Sequence, residues 1–428
     1  MKKWLACLTL GGMLFQSCKK MAVDETTEPA ISYDRQQIDA AIKQQLISEG
    51  QFHWSTVSTS MIWSAGEQSD QVYAVGYKPA TVRADQMDLT QVDIRSAEWA
   101  SARQQVLDII LKSEQSAKAG LQAKDIVQWD EQVLPVMDVL IRDLQTLKAL
   151  RASNLVRYVE PMGYEPQAVQ EKVSSSSGCD GNPAEALTAN VDYTTITPGC
   201  KQSWNHSYHN ISGAWTKATG AGVKVFIIDT GCEFDQDNLG SAFNQGNSSG
   251  RTIERIVTLP RSTFLGIPTG SVETPDDGCG HGTAMAGACA APRGIDGAAC
   301  GIAYNCNLVT CRAAADVYLD ESREVKGASD AFTNAANRAD VKIISMSMGK
   351  LTSSSQLQDA IVYAYGKGKL IFCAAGTSFG WTSGWVGVIF PAYLSQVNAV
   401  TGVRDNAFNT TCTTCHNGSE TDFTVVME

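Results

Sequence analysis

V-K-V-F-I-I-D-T-G, residues 223–231, is an unbroken apolar run that ends in an acid, a threonine and a glycine. A strand with one wetted face alternates apolar and polar side chains, so a run without that alternation predicts a strand covered by helices on both faces. Short apolar runs at 343–346, 370–375 and 399–403 predict further strands of the same kind. The stretches between them, 326–339 and 354–366, are long enough for helical crossovers, so the expected fold class is α/β with a parallel sheet. In such a sheet functional side chains gather at the carboxyl ends of the strands. Asp229 occupies one such end, and Gly231 allows a sharp turn directly after it. An aspartate in that place serves phosphatases and nucleotide hydrolases as readily as other enzymes, so alone it selects no chemistry.

The second informative stretch, residues 277–287, reads D-G-C-G-H-G-T-A-M-A-G. His281 stands between glycines at the expected start of a helix whose small residues, Ala284, Ala286, Gly287 and Ala288, allow close packing. A histidine that merely fills a core does not need such a setting. Imidazole is the side chain whose ordinary pKa suits general-base work near neutrality, and a buried carboxylate such as Asp229 would fix its tautomer and stabilise its protonated form.

With these two blocks on the page, the chain resembles the subtilisin-like serine proteases. Asp229-Thr230-Gly231 and His281-Gly282-Thr283, with Ala286-Gly287, are similar to the aspartate and histidine blocks of that family. Gly301-Ile302-Ala303, Ser345-Met346-Ser347-Met348-Gly349, Ala374-Ala375-Gly376 and Phe390-Pro391-Ala392 then resemble its later blocks, in the family's order. The resemblance implies a serine endopeptidase with an Asp-His-Ser triad acting on polypeptides, Asp229 orienting His281 as base. It implies that a substrate lies as an added strand along Ser347, Met348 and Gly349, and that Ala374, Ala375 and Gly376 wall the pocket beside the scissile bond. No cofactor is required by that chemistry. Asp235 and Asp237 are compatible with a structural calcium ion; no other metal site is assigned.

Two departures bear on activity. The family's asparagine after A-A-G, which donates to the oxyanion, is here Thr377, and loss of one such donor costs about a hundredfold to a thousandfold in turnover. The G-T-S-x-A-x-P block of the nucleophile does not occur in the sequence, and Ser378, in Gly376-Thr377-Ser378, lacks its alanine and proline. The expectation for the chain as written is therefore a C-terminally truncated, inactive peptidase domain with an uncovered apolar face and marginal solubility. The alternative is a noncatalytic remnant serving as an anchored peptide-binding or scaffold protein.

The residues upstream predict a small α+β domain: a strand at 72–77, a helix after Ser96 bearing Trp99, Ala102, Val106 and Ile110, an extended segment at 136–139, a helix through Leu144, Leu147 and Leu150, and a closing strand at 155–159. L-K-A-L-R-A-S-N-L-V-R-Y-V-E-P, residues 147–161, resembles the end of the inhibitory propeptide of the same family, which implies an intramolecular inhibitor and a zymogen. The serines at 174–177 mark an exposed linker. The expected organisation is a lipoprotein-type signal peptide at 1–18, a tether and start of the propeptide at 19–70, the propeptide-like domain at 71–165, a linker and processing region at 166–200, and the peptidase domain at 201–428.

Lys2 and Lys3, an apolar run too short to span a bilayer, and Ser17 before Cys18 resemble a bacterial lipoprotein signal, with Cys18 the lipidated residue. The expected location is the periplasmic or outer face of a bacterium, anchored to the membrane. A net charge of −11 without a basic cluster argues against nucleic acid as a partner. Of the thirteen cysteines, Cys179, Cys200, Cys232, Cys279, Cys300, Cys306, Cys311, Cys412 and Cys415 stand in loop-like contexts where export permits disulfides, whereas Cys289 and Cys373 lie in apolar runs and are expected to stay unpaired. Cys412-Thr413-Thr414-Cys415-His416 fits a haem-attachment pattern, for which a disulfide loop is the plainer reading. His206 and His209 are expected in a solvated loop.

Overall fold

The computed structural model of the protein describes residues 31–176, 179, 186–264, 267–377, 382 and 384–428. The signal-like segment with Cys18, and Ser378, lie outside the described residues. Among the described residues no helix is long and apolar enough to cross a membrane.

The first body comprises α1 (Arg35–Glu49), α2 (Thr59–Glu67), β1 (Val72–Tyr77), α3 (Ala97–Ala117), β2 (Val127–Trp129), β3 (Val136–Leu140), α4 (Leu144–Ala152), β4 (Val156–Pro161) and α5 (Gln167–Ser176). Its strands form an antiparallel sheet in the order β2-β3-β1-β4. The strand and helix expectations from 72 to 159 are found in place, but the linker expected from 166 is not, because α5 continues the first body over 167–176 and buries Val169 in its core. The boundary at 70 is not, because α1 and α2 belong to the same core: Ile38, Ile42, Phe52, Trp54 and Ile62 are fully buried with Tyr73, Val75 and Val106. Asp34 and Gln37 close α1 at its start with a reciprocal capping box, and Gly50 ends it at φ 75°. The three-residue apolar stripe of α1 is hidden in a glutamine-rich stretch, which is why the sequence reads there as the end of a tether.

The second body continues with β5 (Tyr193–Ile196), β6 (Cys200–Ser203), α6 (Ile211–Trp215), β7 (Lys224–Asp229), β8 (Ile253–Val257), the two-residue pair β9 (Thr263–Phe264) and β10 (Ile267–Pro268), and α7 (His281–Ala290). It ends with β11 (Asn307–Arg312), α8 (Ser322–Asn337), β12 (Val341–Met346), α9 (Ser355–Gly366), β13 (Leu370–Ala374), β14 (Asn398–Arg404), β15 (Ala407–Thr411) and β16 (Thr421–Val426). The main sheet runs β15-β14-β13-β12-β7-β11-β8, parallel from β14 to β8, with β16 added in parallel to β14 and β15 turned back against it. The α/β parallel sheet anticipated from 223–231 is thus present, and β7 lies inside it. Phe226 and Ile228 face a core with α8 and α9, whereas Val225 and Ile227 face a second core with Ala286 and Ala290 of α7.

The N-terminal sheet is also buried on both faces. Tyr73, Val75 and Tyr77 of β1 point to their own helices, whereas Val72 and Ala74 join Val325, Ala328, Leu357 and Ile361 of α8 and α9 in one core. Polar groups pin the same seam. Arg157 grips Asp359 through two bonds of 2.7 and 2.8 Å while the Tyr158 hydroxyl donates to the same carboxylate at 2.9 Å. Glu160 accepts from the backbone N–H and hydroxyl of Ser355 at the first turn of α9, where the unpaired N–H groups of a helix favour an anion. Glu165 accepts from the backbone N–H groups of Leu351 and Thr352.

The cysteines differ from expectation. Cys179–Cys279 and Cys412–Cys415 are disulfides, while Cys200, Cys232, Cys300, Cys306 and Cys311 are buried thiols, as are Cys373 and the half-buried Cys289. Cys200 and Cys311 lie on strands, which their Gly-rich and polar neighbours do not announce. The Cys412–Cys415 bond leaves no thiols for haem attachment. His206 is buried against Trp215 and so does not stand in a solvated loop, whereas His209 is exposed in a turn, as expected, its Nε2 accepting from the N–H of Val426 at 2.9 Å.

The Arg157–Asp359 pair is nearly closed to solvent, at 11 and 10% side-chain exposure, so removing one partner strands the other charge. Arg157→Ala is expected to destabilise the docked chain by about 3–5 kcal/mol in chemical denaturation. A change below about 1 kcal/mol would show that the pair behaves as an exposed one.

Candidate active site

The carboxyl ends of three neighbouring strands define the site. β7 ends at Asp229; β12, beside it, leads into Ser347-Met348-Gly349; β13, one strand further, ends at Ala374 and leads into Ala375-Gly376. The register holds these ends level, with Met346 beside Ile228 on one side and Cys373 on the other. The structure thus brings together the residues that the sequence singled out from separate blocks.

Asp229 is buried, and its Oδ1 lies 2.8 Å from His281 Nδ1 while also accepting from the N–H of Thr230 at 2.8 Å. With Nδ1 engaged, Nε2 is the ring nitrogen left to take a proton. Burial pulls the His281 pKa down, but the hydrogen bond and charge of Asp229 outweigh it and leave the pKa above its ordinary 6.5. The imidazolium that general-base catalysis creates is therefore stabilised here.

What aims His281 is a network that the sequence reading did not assign. α7 begins at His281 after Gly280, which sits at φ 90° and offers no side-chain cap. The carboxylate of Asp277 takes over: it accepts from the N–H groups of Cys279, Gly280 and Thr283 at 3.0, 2.8 and 2.8 Å, and from the hydroxyls of Thr283 and Thr230 at 2.6 and 2.9 Å. Thr230 Oγ1 in turn accepts from the N–H of Gly282 at 2.9 Å, joining the turn after β7 to the first turn of α7. Burial alone would raise the Asp277 carboxyl, but the bonds from Thr283 and its neighbours hold it below the ordinary range. Close approach makes two glycines necessary: a Cβ on Gly282 would meet the Gly231 carbonyl oxygen at 2.3 Å, and one on Gly231, at φ 121°, would meet the carbonyl oxygens of Asp276 and Pro275 at 2.7 and 2.8 Å. The signal for Asp277 was the D-x-x-x-H spacing itself, which lets one carboxylate span the helix start.

The peptide-binding rails are only partly as the resemblance implies. The N–H of Gly349 donates to Val317 O at 3.2 Å, and Gly349 O accepts from the N–H of Leu319 at 3.0 Å, so a segment of the chain already occupies its edge. Ile389 fills the space between Gly349 and Gly376, its side chain lying where a Cβ on either glycine would point. Thr377 is exposed and its backbone pairs with Cys415. His416, next to that bridge, is buried with neither ring nitrogen hydrogen-bonded among the described residues, and burial pushes its pKa down to about 4, so it is neutral.

Asp235 and Asp237, the calcium candidates, are exposed; among the described residues the carboxylates that converge are instead Asp316, Asp320 and Glu324. Along α7, Thr283, Ala284, Gly287 and Ala288 line one side of a groove of about 920 Å³ whose other walls include His209 and Val425.

Residues 220–426 match the subtilase family (Peptidase_S8). Among curated proteins the chain is similar to thermitase of Thermoactinomyces vulgaris, 29% identical over 45% of this chain and 59% of the relative. It is also similar to a subtilisin of Bacillus sp. (strain TA39), 27% identical over 51% of this chain and 48% of that one. The chain thus spans about half the length of the curated relatives it matches. Among solved structures it shares the fold of the epidermin leader peptide processing serine protease from Staphylococcus aureus, with a TM-score of 0.52 at 18% identity, over 84% of this chain and 76% of that one.

Two measurements check the geometry. The His281 resonance is expected to titrate with a midpoint above 6.5 and to move down in Asp229→Asn; the associated stability is present below pH 6.5 and lost as pH rises through the folded-state pKa. Asp277→Ala removes the acceptor for several buried donors and is expected to cost about 1–3 kcal/mol in denaturation. Because the folded Asp277 pKa is depressed, its contribution is present above 3.8 and disappears as pH falls through the lower, folded-state value.

Proposed function

The chain belongs to the subtilase family through residues 220–426, and on that premise we propose that it is the frame of a serine endopeptidase hydrolysing polypeptides. The observation that carries the reading is the 2.8 Å contact between Asp229 and His281 at the carboxyl edge of the sheet. In this reading His281 Nε2 takes the proton of a serine hydroxyl as that oxygen attacks the peptide carbonyl, then returns it to the leaving amine. Asp229 holds Nδ1 protonated and pairs with the imidazolium. The serine belongs to a G-T-S-x-A-x-P block that residues 1–428 do not contain. The groove along α7, lined by small side chains, supports a helix packing there beside His281. No cofactor takes part.

The N-terminal body acts in the same proposal as an intramolecular inhibitor and folding aid. What supports this is its docking through β4, where Arg157, Tyr158 and Glu160 engage α9, close to the segment 347–352. Release requires cleavage beyond α5, between the two bodies. The disulfide from Cys179 to Cys279, two residues ahead of His281, would retain any fragment cut beyond Cys179. Export, with lipid attachment at Cys18 anchoring the protein at the cell surface or in the periplasm, is supported by the lysines and apolar run of the first eighteen residues and by the two disulfides.

A second reading, a noncatalytic peptide-binding or scaffold protein, is favoured by the Gly349 edge being paired within the chain and by Thr377 in place of asparagine. Electrophoresis separates the two. The product of the full reading frame and its His281→Ala variant are run side by side with and without reductant. The protease reading expects a fragment split off within 166–200 only when His281 is present, linked to the remainder until reduction if the cut follows Cys179. Identical full-length bands from both would favour the noncatalytic reading.

A further inference from the structure

Cys200, Cys300, Cys289 and Cys306 are thiols in the structure, yet they stand as two neighbouring pairs. Cys200 lies on β6, and the neighbouring Lys201 pairs in parallel with Ala299: the Lys201 N–H donates to Ala298 O at 2.9 Å and the Cys300 N–H to Lys201 O at 3.0 Å. In a parallel bridge of 201 with 299, residue 200 stands opposite 298 and residue 300 opposite 202, so the two cysteines share one face on a diagonal across the pair, because side chains alternate along a strand. Both are buried, and the two thiols lie close enough to act on one another's charge.

The second pair straddles the end of α7. The Ala303 N–H donates to Cys289 O and the Cys306 N–H to Ala303 O, both at 2.8 Å, which folds the chain back toward the end of α7 and leaves the Cys306 and Cys289 thiols close enough to act on one another's charge. Both pack in the core beneath β7. The pairs are not part of a convergent metal site: among the described residues the metal-ligating groups that gather in threes are Asp316, Asp320 and Glu324.

From these contacts we propose that Cys200–Cys300 and Cys289–Cys306 are disulfides in the mature protein. Each pair loses two protons and two electrons as its S–S bond forms, and a protein disulfide donor of the exporting compartment is reduced to two thiols by exchange. The Cys179–Cys279 and Cys412–Cys415 bonds show a chain suited to such a compartment. The neighbouring Cys289 thiol and the Arg251 charge lower the Cys306 pKa, which favours the thiolate form that exchange uses. The consequence lies at the active site. Cys179–Cys279 fixes the start of α7, ahead of His281, and Cys289–Cys306 fixes its end, so the helix that carries the base is held covalently at both termini. Cys200–Cys300 ties the chain entering the second body to the loop that follows α7. Cys232, Cys311 and Cys373 make no cysteine contact among the described residues and stay reduced. This pairing replaces the expectation that Cys289 is unpaired, and it does not depend on the protein being catalytic.

The test is disulfide mapping of the full chain, exported by its host, denatured in acid and alkylated without reductant before digestion and mass spectrometry. The proposal expects peptides linked 200 to 300 and 289 to 306, with alkylation beyond Cys18 of the signal-like segment confined to Cys232, Cys311 and Cys373. Stoichiometric alkylation of Cys200, Cys289, Cys300 or Cys306, or a linkage that crosses the two pairs, overturns it. As a second readout, Cys289→Ser, Cys306→Ser and the double variant are each expected to lower the melting temperature by the same amount, roughly 5–10 °C. Additive losses from the two single changes would show two independent thiols and no bond.

Discussion

Burial of both faces of β7 is the constraint on which the rest of the second body depends. A strand without a wetted face needs a layer on each side, and the chain supplies α8 and α9 against Phe226 and Ile228, and α7 against Val225 and Ile227. Those layers decide where the chemistry sits. α7 has to cross close beneath the end of β7, and the approach is close enough that Gly231 and Gly282 cannot carry side chains. His281, the first residue of α7, is thereby delivered to Asp229, the last residue of β7.

The pair works because burial and charge oppose each other. Withdrawing imidazole from water disfavours its charged form, while a buried carboxylate at 2.8 Å favours it more strongly. The same balance recurs at Asp277, whose ionised form is kept by donors from the start of α7 and from Thr230. A buried charge that is fully hydrogen-bonded becomes a positioning device, because any rotation of the helix start leaves a donor or the carboxylate unsatisfied.

The N-terminal body is organised by a similar rule. An antiparallel sheet normally leaves one face to solvent, yet β1 sends Tyr73 and Val75 inward and Val72 and Ala74 onto α8 and α9. The outer face is an interface, sealed at its edge by Arg157, Tyr158 and Glu160. These are side chains of a strand that leads on to α5, whose Val169 is buried in the core of the same body. A free N-terminal body would expose the apolar side chains of that face, which makes the association energetically obligatory while the two bodies share one chain.

Period and punctuation made much of this legible. Runs such as 223–229 and 370–375 announce strands because alternation is missing, and the spacing of Trp99, Ala102, Val106 and Ile110 announces α3. The glycines around His281 announce a crowded helix start. α1 escaped notice because only three of its fifteen residues, Ile38, Ile42 and Leu46, are buried and they stand among glutamines, and reading Cys200 and Cys311 as loop residues concealed their places on strands. The sequence by itself determined the sheet, the identity of Asp229 and His281, and the order of the blocks, since these depend on local pattern. Only the tertiary structure decided that Asp277 holds the helix start, that residues 317–319 lie on the edge of Gly349, and which cysteines meet, because each of these is a contact between segments far apart in the chain, whose proximity follows from packing rather than from any local period.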